Sequence, residues 1–110
     1  MALLGIARLG DTAFGACSGH QNTVAWTGVI TRVSSGFTVD GVEAATLDDG
    51  GDTSCGHTFR ITGGSAILTA PNGKKVGRVT DLVTAYASLV SNTPLGIGTI
   101  TSGSTVVTSE

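Results

Sequence analysis

Apolar residues alternate with Thr, Ser and Gly in short runs that glycine-rich turns interrupt, a pattern that predicts strands. One pentad, Ile-Thr-x-x-Ser, occurs three times: Ile30–Ser34, Ile61–Ser65 and Ile100–Ser104. Each copy leads into a short β-prone run: Phe37–Val39, 66–69 and Thr105–Thr108. After the first two runs come Asp40-Gly41 and Pro71-Asn72-Gly73, residues suited to the positive φ of tight hairpins. The returning strands read Val42–Asp49 and Lys74–Asp81. The third module stops at Glu110, but Gly5–Asp11 matches the half it lacks.

Aligning these three segments on their last Asp (Asp11, Asp49, Asp81) puts a small residue at Ala7, Ala45 and Gly77. An apolar residue then falls at Leu9, Leu47 and Val79. The repeat therefore predicts a single all-β domain, residues 1–110, of three hairpin modules (30–49, 61–81, and 100–110 completed by 5–11). The expected shape is a small cone with pseudo-threefold symmetry, its N- and C-termini pairing to close the ring. Closure would leave few free sheet edges. Residues 82–90 fit a short amphipathic helix (Leu82, Val83, Tyr86, Leu89, Val90) or a strand (Val83, Ala85, Ala87, Leu89) nearly equally, and Pro94 ends either.

Composition agrees: 17 Gly and 17 Thr beside one Met favour turns and strands over long helices. A net charge of −2 without any basic run argues against a nucleic-acid partner. No apolar stretch is long enough to span a bilayer as a helix, and the N-terminus lacks the form of a Sec signal. The chain is thus expected to be made in the cytoplasm.

The only two Cys and two His lie in two places, Cys17-Ser18-Gly19-His20 and Cys55-Gly56-His57. Cys17 and Cys55 each follow a terminal Asp by six residues, so they occupy equivalent loops. Two thiolates and two imidazoles form a complete tetrahedral set for zinc, with iron as the second candidate. A closed set of this kind supports folding and leaves no site for activating water, so no enzyme is expected. A Cys17–Cys55 disulfide or a pair of buried thiols stays open as an alternative; the disulfide version would suit an adhesin or a capsid decoration. Asp48, Asp49 and Asp52 read as an acidic turn without calcium-loop spacing, and Trp26 and Tyr86 as packing residues.

These motifs resemble the PAAR-repeat spike-tip proteins. The likeness rests on Gly5–Asp11, Thr53–Gly56, Gly73–Asp81 and Thr99–Val107, and it covers nearly the whole chain. It implies a zinc-bearing cone that caps a trimeric β-helical spike, one tip per trimer, in a phage tail, a type VI secretion system or a related injection machine. It further implies transient contact with a target cell envelope and no homo-oligomer; without a C-terminal extension, no fused effector domain is expected. The chain departs from the family in three respects: no Pro-Ala-Ala-Arg occurs, two Cys and two His stand where three His and one Cys are common, and the third loop, after Asp81, carries no ligand.

Overall fold

The computed structural model describes residues 4–17, 23–65 and 67–109. No helix occurs among them. Ten strands do: β1 (Leu4–Gly5), β2 (Thr12–Cys17), β3 (Val24–Arg32), β4 (Thr38–Val39), β5 (Val42–Glu43), β6 (Gly50–Thr53), β7 (Thr58–Ile61), β8 (Leu82–Tyr86), β9 (Pro94–Ile100) and β10 (Thr108–Ser109). Six close an antiparallel barrel in the order β2-β3-β6-β7-β8-β9. Alternation along the strands decides what faces inward. In β2 the buried positions are Ala13, Gly15 and Cys17, and in β3 they are Trp26, Gly28 and Ile30. Residues 82–90 settle on the strand alternative: Val83 and Ala85 point into the barrel, and bends follow Tyr86.

A six-stranded barrel is narrower than the eight-stranded kind that side chains just fill. Trp26 and Phe59 occupy its middle, stacked with centroids 5.4 Å apart and planes at 24°. Glycine makes their room: a Cβ at Gly15 would stand 2.8 Å from Trp26 Cζ2, and one at Gly28 2.5 Å from Phe59 Cε1.

The floor of the barrel is a ring of the three segments that end in Asp. Ala7 N–H donates to Gly77 O, Gly77 N–H to Ala45 O, and Ala45 N–H to Ala7 O, each at 2.9 Å. Each segment closes in one way. The carboxylates of Asp11, Asp49 and Asp81 accept the backbone N–H of Arg8, Thr46 and Arg78 at 2.8, 2.9 and 2.8 Å. Their carbonyls accept the N–H of Ile30, Ile61 and Ile100. Those three isoleucines, at most 1% exposed, plug the barrel above the ring. Hydrogen bonds from the Arg8 and Arg78 guanidiniums to Asp11 and Asp81 push both arginine pKa values up, against a smaller opposing effect of burial.

Successive ring residues face opposite ways, as extended backbone requires. Ala7 and Ala45 join the barrel core, whereas Ile6, Ala44 and Val76 join a second cluster with Val39 and Ala70. Two turns and the paired chain ends lie on this side of the ring, with Phe37 and Leu68 packed against the second cluster. β4 and β5 meet at Asp40-Gly41, whose φ values of 56° and 80° fit the expected tight turn. Residues 68–76 fold about Pro71-Asn72-Gly73, with Thr69 bridging Lys75. β1 pairs with β10, and Ile6 N–H donates to Val107 O, so the two ends of the chain meet.

The first module departs from the other two. A register shift between Ile30 and Arg32 of β3 changes the serine that closes the turn. Ser35, rather than the pentad's Ser34, is the buried counterpart of Ser65 and Ser104, and Ser34 binds Asp49 instead.

Candidate metal centre

The barrel hairpins β2–β3, β6–β7 and β8–β9 all turn at the end away from the ring, because Cys17 lies opposite Gly96 and Thr58 opposite Tyr86. Cys17, Cys55 and His57 converge there, their ligand atoms all within 4.8 Å of one another. Cys17 Sγ lies 3.2 Å from His57 Nδ1, and Cys55 Sγ lies 3.7 Å from it. Around a tetrahedral zinc, S···N edges are about 3.5 Å and S···S edges about 3.8 Å. The two S···N distances fall on either side of the edge that one ion requires, and the soft-plus-imidazole chemistry suits zinc. Both cysteines are free thiols. His20, the fourth residue of the expected set, lies outside the described residues.

Local backbone chemistry sets the two ligands of the β6–β7 turn. Thr53 N–H donates to His57 O at 2.8 Å, and Gly56 N–H to Thr53 O at 3.2 Å. Gly56 has φ 88°, a conformation that favours glycine, and this lets Cys55 and His57 face one point from positions two apart. Cys17 is fixed differently, as the last inward residue of β2 and part of the barrel core. Its backbone lies against Gly96, where an added Cβ would collide with Ala16 O and Cys17 Cα.

The third loop, after β8, carries none of these ligands and is fastened by Arg60 of β7. The guanidinium sits 3.8 Å over the Tyr86 ring, and Nη2 donates to Ser91 O at 2.6 Å. The sequence reading passed over this residue. Its signal was isolation, since Arg60 is the only Asp, Glu, Lys or Arg between Thr53 and Gly73. The acidic trio does not converge: Asp48 pairs with Lys74, Asp49 caps its own turn, and Asp52 pairs with Arg32.

No protein-family model, curated protein or solved structure matches the chain.

Proposed function

We propose that this protein is a metal-stapled tip, a pseudo-threefold cone of three hairpin modules that caps a trimeric β-helical spike of an injection machine and helps it breach a cell envelope. The observation that carries the reading is the cycle of hydrogen bonds among Ala7, Gly77 and Ala45. It relates three segments of one chain cyclically, an arrangement that fits a threefold partner. The units beside the second cluster leave Ile67 and Val106 70% and 78% exposed, apolar contacts for such a base. The 40 Å long axis against 26 and 22 Å suits a pointed cap.

Cys17, Cys55 and His57 would hold zinc at the opposite end, with His20 as the fourth ligand. The ion supplies cross-linking, adding folding free energy where strands converge and little core can form. This role is non-enzymatic. The test is to mix the protein with the trimeric spike encoded beside it and to measure stoichiometry by native mass spectrometry. One tip per three spike chains supports the reading; absence of any complex sinks it, whatever the metal content.

A further inference from the structure

Thr53 is the last residue of β6, 6% exposed, and its hydroxyl has two partners inside the metal-centre turn. His57 N–H donates to Thr53 Oγ1 at 2.9 Å, and Thr53 Oγ1 lies 3.1 Å from Cys55 Sγ. A threonine hydroxyl has two lone pairs and one proton. The His57 amide engages a lone pair, leaving the proton for the sulfur. We infer that Thr53 is a positioning residue for the metal centre, donating its hydroxyl hydrogen bond to the Cys55 thiolate while its backbone and Oγ1 hold His57. The inference rests on the metal reading of the site and extends it to a residue that is not itself a ligand.

Geometry and chemistry both favour this direction of donation. A thiolate bound to a metal has no proton, so it can only accept, and the neighbouring hydroxyl is the donor at hand. Thr53 also joins both ligands of the turn: its N–H reaches His57 O, its Oγ1 reaches the His57 amide, and its hydroxyl faces Cys55. Groups that orient ligands in this way typically change metal affinity by about 10–100-fold when lost. Sulfur accepting a hydrogen bond is also a weaker electron donor, which raises the energy of its charge-transfer transition to a bound metal.

The experiment uses the full chain loaded with cobalt(II), whose thiolate-to-metal charge-transfer band reports on sulfur. Thr53→Val keeps the side-chain shape and removes the hydroxyl; Thr53→Ser keeps the hydroxyl. Thr53→Val is expected to shift the band to lower energy and weaken cobalt binding by about 10–100-fold in a chelator competition, with Thr53→Ser restoring both. An unshifted band in Thr53→Val overturns the inference, even where affinity falls, because a merely structural loss leaves sulfur donation unchanged. Failure of the unsubstituted protein to bind cobalt or zinc overturns the metal reading itself, and this inference with it. Should Thr53→Val not fold, a crystal structure of the unsubstituted metal-loaded protein decides: Thr53 Oγ1 within hydrogen-bonding reach of Cys55 Sγ supports the inference, and a hydroxyl turned away from it overturns it.

Discussion

Trp26 lies nearly flat on Phe59, at 5.4 Å between centroids, and each ring presses on a glycine. The pair fills the barrel only because Gly15 and Gly28 carry no side chain. Gly28→Ala would place a Cβ 2.5 Å from Phe59 Cε1 and 3.0 Å from Asp52 O. The ring could turn aside only by disturbing Trp26, and the carbonyl belongs to the barrel wall. The substitution is expected to cost about 2–3 kcal/mol, at the upper part of the overpacking range, read as a lower denaturation midpoint with an unchanged m-value.

Thr80 adopts φ 75°, a left-handed conformation that costs a β-branched residue most. The residues before the other two terminal aspartates, Gly10 and Asp48, share it at 91° and 72°. The geometry is thus required by the ring rather than chosen by the residue. Thr80 is exposed, so little packing is lost when its side chain is removed. Thr80→Gly is expected to stabilise the protein by about 1 kcal/mol, relief of strain exceeding the added chain entropy. Thermal melting should rise by about 4–8 °C. Gly10→Thr, the reverse change at the equivalent position, should lower it.

The tight turn at Asp40-Gly41 and the recurrence of the Asp-terminated segments were legible in the sequence because each depends on local chemistry. Asp40-Gly41 announces its own turn, and the terminal aspartates bind amides only three residues back. The pairing of the chain ends was readable as a completed repeat. The barrel was not. Its walls include Gly50-Gly51 and Gly96–Gly98, where close backbone approach excludes side chains and hides the usual strand signal. Periodicity left Leu82–Tyr86 open between helix and strand, and pairing with β7 and β9 decided it. At the candidate metal centre Cys17, Cys55 and His57 showed as rare residue types, whereas Thr53 was one of 17 threonines and had no distinguishing pattern.

Arg78 joins its own turn from two sides: Nε and Nη2 bind Asp81 at 2.8 Å each, and Nη2 also reaches Gly64 O at 3.3 Å. Arg78→Gln is expected to cost about 1 kcal/mol, since solvent screens part of the pair. The hydrogen bond to Asp81 raises the Arg78 pKa above its ordinary value. A raised pKa means that the stabilisation is complete below the ordinary arginine value and is lost only as pH climbs through the still higher folded one. The cost of Arg78→Gln should therefore be the same at about pH 7 and about pH 10, measured by urea unfolding of both proteins at each pH. A cost that shrinks by pH 10 would contradict the assignment of this contact to the guanidinium.

Cys17 and Cys55 share a proposed ion but not an environment, and this separates their two contributions. Cys17 is fully buried within the barrel core, whereas Cys55 is half-buried in a turn. With a chelator present, Cys17→Ser puts a smaller, more strongly solvated hydroxyl in a fully buried position beside His57 Nδ1, and is expected to cost about 1–3 kcal/mol. Cys55→Ser under the same conditions should stay within about 0.5 kcal/mol, because its hydroxyl can still face Thr53 Oγ1 or solvent. With zinc at a hundredfold excess over its Kd, the unsubstituted protein gains about 2.7 kcal/mol, and each substitution should remove most of that gain. The two variants would then differ by the same amount with and without metal. Thermal melts of the three proteins, each with zinc and with chelator, measure both quantities. A Cys55→Ser protein that keeps its full zinc-dependent rise in melting temperature would remove Cys55 from the ligand set, while equal losses for the two variants in chelator would contradict the burial of Cys17.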